Sequence, residues 1–159
     1  MTERKTVIDL ASFQSHLTVD DYKAIGADYA IIKTTESINY VNPYIRSLID
    51  RSAGGGIKEF AFYHFGRFHN DAQAMAEANY FIANSKAQAN VQPGTLMILD
   101  AEISNMPTSS VIAFLDTVRN AGFHPGFYTY KYLLPNFDLE AIHPNMDMFW
   151  LAAYPLANG

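Results

Sequence analysis

Asp100 and Glu102 close an apolar run, Leu96-Met97-Ile98-Leu99, with Thr95 at its head and the small Ala101 between the two carboxylates. The run reads as a strand buried on both faces, the pattern of a parallel strand. Side chains alternate along a strand at roughly 3.3 Å per residue, so Asp100 and Glu102 face the same way with Cα atoms about 6.5 Å apart. Two carboxylates that close repel each other, and burial at a strand's end raises the pKa of at least one. An acid that can protonate a leaving oxygen, beside an anion that can meet an oxocarbenium charge, is what glycoside hydrolysis requires. The spacing fits equally an acidic pair that caps a helix or faces solvent, so other residues must decide.

The elements that would position this pair alternate along the chain. Apolar runs predict strands over 6–9, 29–33, 60–65, 95–102, 126–129 and 148–152. Thr18 with Asp21 reads as the N-terminal cap of a helix that stops near Gly26. Asn42-Pro43 opens a second helix through Ile45, Leu48 and Ile49, ended by Gly54-Gly55-Gly56. Asn70-Asp71 caps the longest helix, with Met75, Ala78, Tyr80, Phe81 and Ile82 as its apolar stripe. A further helix over 107–121 carries Val111, Phe114, Leu115 and Val118, and Gly122 ends it. Residues 34–37 read as a loop, and the segment holding Pro135 and Pro144 as irregular.

Six apolar strands alternating with helices argue an α/β fold with a parallel sheet, either doubly wound or a (β/α) barrel. The strand ends discriminate. Asp9, Lys33 with Glu36, His64, Asp100 with Glu102, Tyr128, and Trp150 with Tyr154 all fall at carboxyl ends of strands. A barrel gathers such ends at one mouth, where barrel enzymes keep their active sites, and an open sheet spreads them along an edge. Convergence favours the barrel.

Composition narrows the function. A chain of 159 residues, 49% hydrophobic, is one domain by length, and 14% aromatic residues suit either a sugar-stacking cleft or a well-filled core. The net charge of −5 comes without a Lys/Arg cluster, which argues against a nucleic-acid partner. Without cysteine there is no disulfide, thiol catalysis or thiolate metal site. The five histidines lack ligand spacing, so neither metal nor cofactor is called for. No apolar run is long enough for membrane insertion, and the charged Met1-Thr2-Glu3-Arg4-Lys5 is not a signal peptide.

Six segments in order carry a resemblance: Val7-Ile8-Asp9 with Gln14; Ala30 to Glu36 followed by Asn42-Pro43; Phe62-Tyr63-His64-Phe65; Leu99-Asp100-Ala101-Glu102; Gly126-Phe127-Tyr128-Thr129; and Phe149 to Tyr154. Together they resemble the glycoside hydrolase family 25 lysozymes, the Chalaropsis-type muramidases of fungi, bacteria and phage endolysins. The resemblance implies a flattened (β/α) barrel of TIM type that cleaves the β-1,4 bond between N-acetylmuramic acid and N-acetylglucosamine with retention. It implies Glu102 as general acid/base, Asp100 as nucleophile or orienter of the substrate's acetamido group, and Asp9 on the same floor. Lys33, Glu36, Tyr63, Tyr128, Trp150 and Tyr154 fall where such enzymes line the saccharide groove, and His64, the one histidine at a strand's end, is a further groove candidate. The partner would be bacterial peptidoglycan, met at the cell wall after phage-type release or another export route.

Each groove residue has a plainer alternative. Lys33 could orient a neighbouring acid, Glu36 could be a solvated loop charge, His64 a satisfied structural histidine, and the tyrosines core aromatics with paired hydroxyls. Against the family pattern, 1–159 reads as a single catalytic domain lacking the last strands, an incomplete barrel of about six parallel strands. Its first and sixth strands would then have open edges, through which the expected monomer could dimerise. A glycan-binding fragment and a chitinase-like barrel are the competing readings; the latter wants acidic residues before Glu102 that Leu96 to Leu99 do not supply.

Overall fold

Alternating β-branched and helix-forming stretches give a strand–helix succession. The computed structural model describes residues 6–152. Its strands are β1 (Val7–Leu10), β2 (Tyr29–Glu36), β3 (Tyr40–Val41), β4 (Glu59–Phe65), β5 (Leu96–Ala101), β6 (His124–Tyr130) and β7 (Met148–Ala152). Its α-helices are α1 (Val19–Ile25), α2 (Ile45–Gly54), α3 (Asp71–Ala89), α4 (Thr108–Asn120) and α5 (Leu139–Ile142). The sheet runs β1-β2-β4-β5-β6-β7, every neighbour in that path parallel, and β3 adds antiparallel to β2. It curls into a half-barrel of six parallel strands, as the sequence led us to expect.

Local signals place the helix ends. Thr18 accepts a hydrogen bond from the Asp21 amide while Asp21 accepts from that of Thr18, and Gly26 ends α1 with φ of 67°. Asn70 caps α3 through the Gln73 amide. No described helix is long and apolar enough to cross a membrane.

The sheet has two differently filled faces. On the convex face the helices seal a large core, in which Leu10, Ile32, Leu99, Phe81, Phe114 and Phe127 have no solvent exposure. On the concave face the apolar floor is small, with Ile31, Ala61 and Ile98 buried under Tyr63, Tyr128, Met148 and Trp150. Gly126 belongs to that floor: a Cβ there would lie 2.9 Å from Ile98 Cγ1 and 3.2 Å from Met148 Cε, too close for any larger residue without a shift.

Three expectations change. Residues 34–36 are strand, not loop, because β-branched Thr34 and Thr35 continue β2 past a bulge and β3 pairs back on Thr35 and Glu36. The buried stripe of α3 is Ala74, Glu77, Ala78, Phe81, Ile82 and Ser85. Met75 is about half exposed and off that stripe, and an acid occupies the core position the apolar pattern skipped. The segment before β7 is ordered as 3-10 turns around α5, whose cap is Asp138.

Candidate active site

Period-two alternation on neighbouring strands, six of which contribute side chains, lines one cleft of about 490 Å³, within the range of small-molecule sites. Asp9 comes from β1, Ile31 and Lys33 from β2, Tyr63 and Phe65 from β4, Ile98 and Asp100 from β5 with Glu102 just beyond it. Tyr128 and Tyr130 come from β6, Trp150 from β7, and Ala11, Phe13 and Gln14 from the turn after β1. The three expected carboxylates thus meet in a single hollow, although Asp9 on β1 lies far in sequence from Asp100 and Glu102 at the end of β5.

The end of β5 is clamped from both sides. The Asp100 carbonyl accepts from the Gly66 amide at 3.0 Å, and the Ala101 carbonyl accepts from the Thr129 hydroxyl at 2.7 Å. Those bonds fix the backbone on which the carboxyl pair stands. Asp100 is only 7% exposed, and its Oδ1 is buried without a hydrogen-bond partner. Burial drives its pKa far above the ordinary 3.8, and the neighbouring charges of Glu102 and Asp9 push the same way, with Lys33 opposing. Asp100 therefore holds a proton at neutral pH and is hydrogen-bonded to Glu102. Asp9 stands nearer the mouth. Burial and, after it, the Glu102 charge raise its pKa more than the Tyr63 hydrogen bond and the Lys33 charge lower it. Burial and the Asp9 charge also push the Tyr63 phenol up, so its hydroxyl stays protonated and donates to Asp9.

Lys33 is the only cation on the wall among the described residues. Its Nζ donates to Glu36 Oε1 at 2.7 Å and lies 5.3 Å from the Phe65 ring centroid. Asn42 holds this turn by donating from Nδ2 to the Lys33 carbonyl at 2.9 Å. That contact explains the Asn42-Pro43 motif as a clamp. On the far wall Trp150 meets Tyr128 edge to face at 5.2 Å, and Tyr130 meets Tyr128 at 5.8 Å. Phe13 stands 82% exposed at the rim.

Two expected groove residues are elsewhere, and a third lies out of view. His64 points to the convex face because it sits between Tyr63 and Phe65 on one strand. It is fully buried there: Nε2 donates to Glu77 Oε1 at 2.8 Å and Nδ1 accepts from the Thr35 hydroxyl at 2.7 Å. Burial pushes its pKa down, more than Glu77 raises it, so it is a neutral structural histidine. Glu36 is neither a loop charge nor a lining residue; from the end of β2 it bridges Lys33 and, in the turn after β4, Arg67. Burial raises its pKa, but hydrogen bonds and charge from Lys33 and Arg67 outweigh that and hold it low. Tyr154 lies outside the described residues. Phe65, Ile98 and Tyr130 were missed, although each stands two residues from a residue already assigned to the cleft.

The site is a floor of acids beneath an aromatic wall, at the carboxyl edge of a parallel half-barrel. A profile described as Glycosyl hydrolases family 25 matches residues 8–159, and the chain belongs to that family. A lysozyme of Streptococcus phage Cp-7 is 31% identical over 160 residues, covering 96% of this chain and 44% of the phage protein. A protein of Streptococcus phage B30 named D-alanyl-L-alanine endopeptidase is 32% identical over 158 residues, covering 93% of this chain and 33% of its own length. This chain therefore spans less than half of either relative. Among solved structures, the modular Cpl-1 endolysin complexed with a peptidoglycan analogue superposes with a TM-score of 0.78 at 25% identity. That match covers 99% of this chain and 46% of the endolysin.

Proposed function

We propose that this chain is a peptidoglycan-cleaving catalytic domain that hydrolyses the β-1,4 bond between N-acetylmuramic acid and N-acetylglucosamine with retention. The observation that carries this reading is the meeting of Asp9, Asp100 and Glu102 in one cleft under an aromatic wall, with Asp100 buried at its floor and one carboxyl oxygen unpartnered. Glu102, the outer member of the Asp100–Glu102 pair, relays the Asp100 proton to the glycosidic oxygen as the C1–O bond breaks. Asp100, relieved of its proton, becomes the anion facing the oxocarbenium carbon. It then either bonds to C1 or orients the substrate's acetamido oxygen to do so; both routes retain configuration once Glu102 deprotonates the attacking water. Asp9, kept in place by the Tyr63 hydroxyl, adds negative potential to the same floor. Tyr128 and Trp150 offer ring faces and edges to the sugars, and Lys33 meets a polar substituent.

The test is clearance of a peptidoglycan suspension by this chain against its Glu102→Gln variant, followed by end-group analysis of the fragments. New reducing ends on muramic acid, lost in the variant, support the proposal. Ends on glucosamine overturn the bond assignment, and released amines in place of reducing ends point to peptide cleavage, as the name of the phage B30 relative has it. Equal clearance by both forms overturns the role of Glu102.

A further inference from the structure

Arg67 follows β4 in the turn that leads to α3, and the mechanism above gives it no part. Its position is nevertheless fixed from three directions. The main-chain N–H donates to the buried Glu77 Oε1 at 2.9 Å, Nε donates to Glu36 Oε2 at 2.8 Å, and the guanidinium carbon lies 4.8 Å from the centroid of the Phe65 ring. Phe65 is a wall of the cleft. Arg67 thus stands one side chain outside the hollow, 52% exposed, with both terminal amino groups unpartnered among the described residues.

A purely structural account leaves two facts over. Glu36 is already neutralised by Lys33 at 2.7 Å, so Arg67 leaves the Lys33–Glu36–Arg67 cluster with one surplus positive charge. That surplus adjoins a cleft whose floor carries Asp9, Asp100 and Glu102, so the site has an acidic base and a cationic border. Moreover, the single Nε bond uses one of five donors. An arginine held by stacking and one ion pair, with its outer fork open, has already lost the side-chain freedom that binding would otherwise cost. Its planar pair of amino groups matches a carboxylate.

We propose that Arg67 is a specificity-determining residue that takes a carboxylate borne by the glycan's side chain. The inference rests on the muramidase reading of the cleft. A neutral N-acetylglucosamine polymer offers no such group. Muramic acid carries a lactyl-linked peptide with free carboxylates, a group of the charge and planar shape that the open Arg67 fork accepts. A carboxylate paired at the border sets which way the strand lies across the floor. Lys33, engaged by Glu36 at its single ammonium, takes no part in this contact.

The experiment is calorimetric titration of the Glu102→Gln chain, alone and combined with Arg67→Gln or Arg67→Lys. Three tetrasaccharides serve as ligands: a neutral N-acetylglucosamine tetramer, a muramic-acid glycan with free peptide carboxylates, and the same glycan with those carboxylates amidated. The expected result is that Arg67→Gln lowers the affinity ratio of free-acid to neutral ligand about tenfold, or about 1.4 kcal/mol. Arg67→Lys restores part of the ratio. Independently of any change at Arg67, the amidated glycan binds more weakly than the free acid. A ratio unchanged by Arg67→Gln, or amidated and free glycans bound alike, overturns the assignment while leaving the cleft's reading intact. Failure of the Arg67-intact chain to bind any of the three overturns that reading, and this inference with it.

Discussion

The same strands carry ionisable groups on both faces of the sheet, and the two sets are finished differently. On the convex face His64, Glu77 and Thr35 close a buried network. Glu77 Oε1 accepts from both His64 and the Arg67 amide, and Thr35 satisfies the remaining ring nitrogen. On the concave face Asp100 is buried beside two further acids, with one oxygen unpartnered and a proton retained against its ordinary pKa. The first arrangement spends its polarity inside the fold. The second leaves polar demand unmet until a substrate arrives, and it does so at a cost in stability.

The contrast can be broken from either side. The largest effect is expected at Glu102: Glu102→Gln should lower peptidoglycan clearance by about 10²- to 10⁴-fold, the usual worth of general acid–base catalysis, with melting little changed. Asp100→Asn should also abolish most activity, by at least about a hundredfold, yet raise the melting temperature. The sign follows from linkage. A carboxyl whose folded pKa lies above its unfolded value binds more protons in the folded state, so it lowers stability progressively as pH rises above about 4. The variant's advantage in thermal melts should therefore be near zero in acid and grow to about 1–3 kcal/mol at neutral pH. A variant that melts lower at neutral pH would contradict the unmet-demand account.

On the convex face the signs reverse. Glu77→Ala removes one partner of a buried network and should cost about 3–5 kcal/mol, a drop of roughly 10 °C or more in a domain this size, read by thermal melting. Clearance per folded molecule at low temperature should be far less affected than in the Glu102 and Asp100 variants. The His64 contribution to stability should fall as pH drops below about 6.5, opposite in sign to the Asp100 contribution over the same range. His64, held neutral by burial, has a depressed folded pKa, so its contribution is present above the unfolded value and lost as acid protonates the unfolded ring. Denaturant unfolding at several pH values in the Asp100→Asn background, where the opposing contribution is gone, measures the slope, and adding His64→Phe should flatten it. The smallest expected change is at the aromatic wall. Trp150→Ala should raise KM several-fold on soluble glycan with kcat nearly intact, as expected for a side chain that touches bound and reacting sugar alike.

Much of this architecture was legible in the residues. Parallel strands announce themselves as short two-sided apolar runs, so all six were found. The gathering of Asp9, Asp100 and Glu102 followed from where each run stops. Alternation, applied consistently, would also have placed Phe65, Ile98 and Tyr130 in the cleft and sent His64 to the other face. Glu77 was not readable, because an acid on a helix normally faces water and only the partner His64, thirteen residues away, accounts for its burial. The extension of β2 to Glu36 was readable only in part: Thr34 and Thr35 are β-branched, but the bulge between Lys33 and Thr35 and the return strand β3 are tertiary pairings that propensity does not record. Arg67 escaped for the same reason, since its anchors Glu36, Phe65 and Glu77 lie on three separate elements.

The central claim is that the buried Asp100 carboxyl keeps its proton at neutral pH. Carbon-13 NMR titration of the aspartate side-chain carboxyls, assigned through Asp100→Asn, measures it directly. The account predicts that the Asp100 carboxyl still shows the chemical shift of the protonated form at neutral pH and loses its proton only in alkaline solution. An Asp100 resonance that titrates with the ordinary value of 3.8 would contradict it.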